Sequence, residues 1–166
     1  MAFKIVAKDK DDLTVISALL QDSIVARTDM TFLPGEQRFV MIVNRFRWEQ
    51  SDLDDMLDDA LVDNRSNEDA SYLDNDKNLT ATFSRVQSAL RIENVEAAQT
   101  RNLEQCADSV GLLNILSVGL EQNVLLITLS NQAAIRLNLG QIACYLEDIS
   151  EPWPSPSKPD HNDEDN

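Results

Sequence analysis

The sequence predicts an α+β fold whose mostly antiparallel sheet is strongly curled or closed into a barrel. Three observations favour this class. Two pairs of apolar segments are joined by turn residues, in residues 30–48 and 123–139. Apolar and polar residues alternate through 83–92, and apolar residues at helical spacing occur near both ends of residues 1–150. We therefore expect one domain in residues 1–150, with an N-terminal helix and a short C-terminal helix.

The first hairpin, residues 30–48, supplies the predicted central strand. Pro34 and Gly35 favour a type II turn, because proline restricts φ and glycine accepts a positive φ. One face of the second arm is apolar to its end, in Val40, Ile42, Phe46 and Trp48. The other face begins with Phe39, Met41 and Val43 and continues in Arg45 and Arg47. We expect this second face to start buried and then emerge into water.

A short strand and a helix precede this hairpin. Phe3, Ile5 and Ala7 recur at alternate positions, which is typical of a strand. Asp11 or Asp12 can cap a helix that ends near residues 21–23. Apolar residues at three- and four-residue spacing give the helix one apolar face, formed by Leu13, Ile16, Leu19, Leu20 and Ile24. We expect this face to cover the buried half of the central strand.

The second half of the chain contains mostly strand patterns. Residues 83–92 predict a strand with Val86, Ser88, Leu90 and Ile92 on its apolar face, and residues 95–102 predict a more polar edge strand. In residues 111–120 the glycines at both ends favour a strand over a helix. The second hairpin follows in residues 123–139. Its length resembles that of the first hairpin, which raises the hypothesis of an internal duplication, although few residues are identical.

Residues 141–149 fit two patterns. Leu139, Ile142, Ala143, Leu146 and Ile149 lie at helical spacing, and we predict a short closing helix from them. The alternative is a strand that continues through Cys144 and Leu146.

The formal charge of -15 lies mainly outside the predicted core. Residues 50–79 contain ten acidic and two basic residues, and residues 151–166 contain five acidic residues and one lysine. Like charges at this density oppose independent folding, so we expect a mobile acidic insertion at 50–79. The tail, 151–166, is rich in proline and acids and is expected to be disordered, with Trp153 attaching its beginning to the domain.

Composition also argues against several functions. Strong acidity argues against nucleic acid as a partner, because such binding depends on lysine and arginine. The start of the chain lacks a signal-peptide pattern and no apolar run is long enough to span a membrane, so we expect a cytoplasmic protein. Cys106 and Cys144 have no metal-binding or redox spacing, and we expect two reduced thiols. The only histidine, His161, lies in the tail, and we predict no catalytic residues, no metal and no cofactor.

One polar and aromatic block is the candidate binding site. It consists of Asn44, Arg45, Arg47 and Trp48, with Phe46 between the arginines. Arginines alternating with aromatic residues on a strand can bind a carboxylate with stacking beneath. The alternative is structural: Phe46 and Trp48 lie in the core, while the arginines face solvent and pair with the acidic insertion.

Three segments resemble a known family. They are LLQDSIVARTDMTFLPGEQRFVMIVNRFRWE, RVQSALRIENV and IRLNLGQIACYLEDISEPW. Together they resemble the bacterial family called domain of unknown function 2948, over most of the predicted ordered chain. The acidic insertion is longer here than is usual in that family, and Ile149-Ser150-Glu151 replaces a more usual Leu-Gly-Pro. The resemblance implies a bacterial cytoplasmic protein and no particular site residues.

Two functions remain in view. The first is a non-catalytic binding or assembly module that contacts a protein partner, or a second copy of itself, through sheet edges or the arginine and aromatic block. The second is a small metabolic enzyme whose carboxylates and arginines meet only in the folded protein. An enzyme requires a concave pocket with convergent polar groups, whereas a binding module requires an exposed apolar patch or a two-fold interface.

Overall fold

The fold was determined as a computed structural model, which describes residues 3–50, 83–104, 111–156 and 159. Within these residues it contains the α-helix α1 (Lys10–Leu20), a 3-10 turn at Pro34–Glu36 and three helical residues at 48–50. The strands are β1 (Lys4–Ala7), β2 (Ile24–Leu33), β3 (Arg38–Phe46), β4 (Ser84–Ile92), β5 (Val95–Arg101), β6 (Leu112–Glu121), β7 (Val124–Leu129), β8 (Ala134–Leu139), β9 (Cys144–Asp148) and β10 (Trp153–Pro154).

The ten strands form one antiparallel sheet. Its order is β1-β9-β4-β3-β2-β6-β7-β8-β5, and β10 pairs with β4. No pairing joins β1 to β5 at the two ends of the sheet, so the described sheet is open and the barrel form predicted as one possibility is wrong. The predicted antiparallel sheet with an N-terminal helix is thus confirmed, and β5 is an edge strand as expected.

The eight strands from β2 to β9 are arranged symmetrically in the sheet, as two sets of four. Exchanging β2, β3, β4 and β5 with β6, β7, β8 and β9 reproduces the same sequence of neighbours. Each half is therefore a three-stranded meander, and its fourth strand crosses to pair with the other half: β5 pairs with β8, and β9 pairs with β4. The two meanders meet where β2 pairs with β6.

Two backbone hydrogen bonds near the pairing of β2 with β6 follow the same symmetry. Ile115 N–H donates to Ser23 O at 2.9 Å, and Arg27 N–H donates to Gly111 O at 3.0 Å. Each acceptor directly precedes one of the two ten-residue strands, and each donor is the fourth residue of the other strand. The structure thus relates β2–β3 to β6–β7, whereas the duplication hypothesis compared residues 30–48 with 123–139, which contain β7 and β8.

The core lies between the sheet and α1, and residues of both contribute to it. Asp9 caps this helix by accepting a hydrogen bond from Asp12 N–H at 2.9 Å, so the cap precedes the predicted Asp11 or Asp12. Its buried residues are Leu13, Ile16 and Leu20. The helix packs mainly on β6 and only slightly on β3. The expectation that it mainly covers the central strand is therefore wrong.

The face of the central strand β3 that was expected to start buried does so, but it stays buried as far as Arg45 and does not emerge into water there. Phe39, Met41 and Val43 are buried, and so is Arg45 on the same face. On the other face, Val40 and Ile42 are only half-buried, whereas Phe46 is fully buried. The turn also differs from prediction, since the positive φ of 50° occurs at Gln37 after the 3-10 turn, and not at Gly35.

The predicted C-terminal helix is wrong. Residues Cys144–Asp148 form β9, which pairs with both β1 and β4. Cys144 and Leu146 are fully buried on its inner face. The strand alternative was correct, because two long-range partners supply the backbone hydrogen bonds that a helix would make internally.

Trp153 attaches the beginning of the tail, as predicted. It lies opposite Arg85 in the pairing of β10 with β4. The predicted mobile insertion lies outside the described residues apart from Gln50, and so do Cys106 and most of the tail. In the described part of the chain, no helix has the length and apolarity that crossing a bilayer requires.

Candidate functional site

The polar block lies at the end of β3, where the chain leaves the sheet. The corresponding position in the other half is a short turn, in which Leu129 N–H donates to Ala133 O at 2.9 Å. Between β3 and β4 the two chain ends are instead held together by Arg47 N–H, which donates to Ser84 O at 3.0 Å. The Ser84 hydroxyl also donates to Gln50 Oε1 at 3.2 Å. The block thus lies at the base of the acidic insertion.

Arg45 is fully buried and bound to two carboxylates. Its Nε and Nη2 donate to Asp148 at 3.0 and 2.9 Å, and its Nη1 and Nη2 donate to Glu49 at 3.0 and 2.9 Å. Burial opposes the charged guanidinium, but the hydrogen bonds and charges of Glu49 and Asp148 outweigh it and raise the pKa of Arg45. The expectation that this residue emerges into water beside the insertion is therefore wrong.

The remaining contacts of this cluster complete its hydrogen bonding. Nη1 of Arg45 also approaches Phe46 O at 3.5 Å, so each of the five guanidinium N–H groups has an acceptor in reach. The Phe3 ring lies 4.8 Å from the guanidinium carbon. Asp148 accepts a further bond of 2.6 Å from the Ser88 hydroxyl. Arg45 accordingly stabilises the junction of β3, β4 and β9 and offers no free N–H group to a ligand.

Arg47, two residues further on, lines an open cleft. The cleft has a volume of about 490 Å³ and is lined by Phe3, Arg47, Val86, Asp148, Ile149, Ser150, Glu151 and Pro152. The Arg47 side chain is 27% exposed. Its Nε is buried without a hydrogen bond among the described residues, and the nearest carboxylate oxygen, Glu49 Oε1, is 3.8 Å away. Arg47 thus brings a cation with unused hydrogen-bonding capacity to a partly apolar cleft.

The other two predicted site residues point to different neighbours. Trp48 Nε1 donates to Gln21 O at 3.3 Å, and its ring centroid lies 4.6 Å from that of Phe46. Asn44 accepts a bond of 3.2 Å from Arg85 Nη1 through its backbone oxygen. Of the four predicted residues, only Arg47 lines the cleft. Trp48 belongs to an aromatic cluster with Phe46 and Phe83 that supports the strand end.

Sequence reasoning did not find the partners of the two arginines. Asp148 comes from β9, and Phe3 precedes β1, so each is far from β3 in the chain. The one available signal was parity, because Arg45 occupies the same strand face as Met41 and Val43. Within the described residues, no three histidine, cysteine, aspartate or glutamate side chains are grouped so that they could hold a metal ion.

Comparisons with known proteins give one match. The family model described as protein of unknown function (DUF2948) matches residues 3–161, which is nearly the whole chain. The comparisons with curated proteins and with solved structures found no match. The match includes both meanders, the Arg45 cluster and the cleft at Arg47, and the chain therefore belongs to the DUF2948 family of proteins of unknown function.

Proposed function

We propose that this protein is a non-catalytic binding module of the bacterial cytoplasm, and that the cleft at Arg47 binds an acidic segment of a partner protein. The observation that carries the proposal is the contrast between two neighbouring arginines. Arg45 has an acceptor for every donor, whereas Arg47 Nε has no hydrogen-bond acceptor among the described residues. A buried donor without an acceptor is costly, and a ligand carboxylate would satisfy it.

The walls of the cleft suit a peptide better than a free anion. Phe3, Ile149 and Pro152 provide apolar surface around Arg47, and Ile149 is 51% exposed. An acidic residue next to an apolar one could therefore use both kinds of contact at once. A nucleic acid is less suitable, because its binding depends on many lysine and arginine contacts to phosphates and the chain has 14 basic against 29 acidic residues, whereas one carboxylate needs only one arginine.

The enzyme alternative receives less support from the same geometry. The Arg45 cluster is a carboxylate and arginine site assembled by the fold, as that alternative requires. However, Asp148 accepts from Arg45 through both oxygens and from Ser88 through Oδ1. A general base needs a lone pair directed at its substrate, and these bonds occupy Asp148 instead.

Peptide selection tests the proposal. Random peptides displayed on phage would be selected on the full chain, and the affinity of the enriched peptide would be measured by isothermal titration calorimetry. We expect the enriched peptides to contain an acidic residue beside an apolar one. Arg47→Gln should weaken their binding by roughly 10- to 100-fold, because a hydrogen bond to a charged group contributes about 1.5–3 kcal/mol.

Arg101→Gln is the matched control, since Arg101 is an exposed arginine at the end of β5. It should change the affinity by less than twofold. Equal losses in both variants would show only a general attraction to positive charge. Unchanged affinity in Arg47→Gln would remove the cleft as the binding site.

A further inference from the structure

The cleft at Arg47 is bordered by a segment of the chain that has the features of a bound peptide. This segment, Glu151–Ser155, is called the strap here and contains β10. Glu151 and Pro152 line the cleft together with Arg47. The next residues run antiparallel to β4, with Trp153 opposite Arg85 and Pro154 opposite Ser84.

The strap fills an edge of β4 that β9 leaves uncovered. The last pair between β9 and β4 joins Asp148 to Ser88, so β4 continues beyond its partner towards Ser84. Ser155 N–H donates to Phe83 O at 2.6 Å at the far end of this edge. The edge therefore accepts an extended segment through backbone hydrogen bonds, as in strand addition by peptides.

The strap is weakly held compared with the other strands. Its paired part has only two residues, and all of Glu151–Pro154 is exposed. The Trp153 side chain is 37% exposed and is not part of the core. Pro152 and Pro154 have no N–H group, so they can donate no hydrogen bond to β4. The strap is therefore held mainly by the partly buried Trp153 and by few backbone hydrogen bonds, which a competing segment would have to replace.

We propose that the strap is an internal pseudo-ligand, and that an extended acidic segment of a partner protein displaces it, pairs with the edge of β4 and places a carboxylate beside Arg47. This inference rests on the proposed binding function and identifies how the partner binds. Arg47 supports an acidic occupant, because its Nε has no hydrogen-bond acceptor among the described residues, and Glu151 of the strap already lines the same cleft. In the free protein the strap competes with the partner, and affinity depends on how often it is open.

A reversible covalent lock tests this competition in the full chain. Ser84→Cys with Pro154→Cys places two thiols at directly opposed positions of β4 and β10, where a disulfide can form. Cys106→Ser would remove one other thiol, and Cys144 is fully buried and remains unreactive. The probe is a fluorescein-labelled peptide with the sequence of residues 149–158, and binding is measured by fluorescence anisotropy.

We expect the reduced protein to bind the peptide and the oxidised protein to bind it about 10- to 100-fold more weakly. The apparent affinity is proportional to the fraction of molecules with an open strap, so this range corresponds to a disulfide that lowers the open fraction about 10- to 100-fold. A probe in which glutamine replaces the glutamate should bind the reduced protein less tightly. Circular dichroism should show the same fold before and after oxidation, so the comparison does not depend on folding.

Equal affinity in the reduced and oxidised forms would overturn the proposal. If Arg47→Gln still weakened binding of the selected peptides by the expected amount, the proposed function would stand and only the strap would be excluded. Failure of every peptide to bind either form would refute the proposed function as well. Concentration-dependent dimerisation of the reduced form in analytical ultracentrifugation would identify a second copy as the occupant and would likewise overturn the partner proposal.

Discussion

Replacing Arg45 with methionine tests whether the buried cluster holds the strand ends together. Methionine has a similar length but no charge, so the change removes the cation and leaves Glu49 and Asp148 without it. Removing one partner of a buried ion pair typically costs about 3–5 kcal/mol, because the other charge stays buried and unpaired. We expect a cost at the lower end of this range, because only one of the two carboxylates would stay buried without a cation. Asp148 is 11% exposed and cannot regain water in place, whereas Glu49 is 33% exposed and can.

We therefore expect Arg45→Met to lower the free energy of unfolding by about 3 kcal/mol. With an m-value of about 2 kcal/mol per molar urea, the unfolding midpoint should fall by about 1.5 M. Far-UV circular dichroism is the suitable measurement, because Trp48 lies near the substitution and its fluorescence would change locally. A small domain has about 5–15 kcal/mol of stability, so the variant should still fold.

Two further variants separate this explanation from a general effect of losing an arginine. Arg38→Met removes a partly exposed arginine that pairs with Glu36 and Glu93, and it should shift the midpoint much less. Asp148→Asn added to Arg45→Met removes the stranded charge and should recover part of the loss. A midpoint shift below about 0.5 M for Arg45→Met, or no recovery in the double variant, would refute the argument.

Two other residues give independent predictions. Ser17→Ala removes the hydroxyl that accepts from Val118 N–H at 2.9 Å, so the free energy of unfolding should fall by about 1–2 kcal/mol in urea, while Ser117→Ala, at an exposed position, should have little effect. Burial raises the pKa of Cys144 from 9.0 to about 12, so the unfolded state releases this proton first as pH rises. Stability should therefore be unaffected by this thiol below pH 9 and should fall between pH 9 and 12 by about 1.4 kcal/mol per unit. In Cys144→Ala the decline should be less steep by that amount, and identical slopes would contradict the assignment.

The strands that alternate clearly were predictable because burial on one sheet face imposes a period of two. Val86, Leu90 and Ile92 on β4 show this pattern, and the structure buries all three. Residues 141–149 were ambiguous, since Leu146 fits both helical spacing and alternation. Pairing with β1 and β4 decided the outcome, and no local pattern shows which distant strands will be adjacent.

The site was less predictable than the fold, for a related reason. A charged side chain on a strand is usually exposed, so Arg45 was assigned to solvent in spite of its parity. Its burial depends on Asp148, which is 103 residues away in the chain. The pairing of opposite charges over such a distance leaves no periodic signal. Arg47 was identified from the alternation of arginines and aromatic residues along the strand, whereas the cleft beside it is formed by residues near β1, β4 and β9.

Because β5 and β9 each pair with a strand of the other half, the sheet cannot form completely while the chain is still being synthesised. On the ribosome, β5 emerges well before β8, the strand with which it pairs. Likewise, β4 emerges well before β9, which covers one of its edges. Neither half can complete its strand pairing alone, because β4 of the first half pairs with β9 and β8 of the second half pairs with β5. Such non-local pairing slows folding, and it leaves strand edges open while translation continues. We expect nascent chains that stop before Asp148 to depend on chaperones.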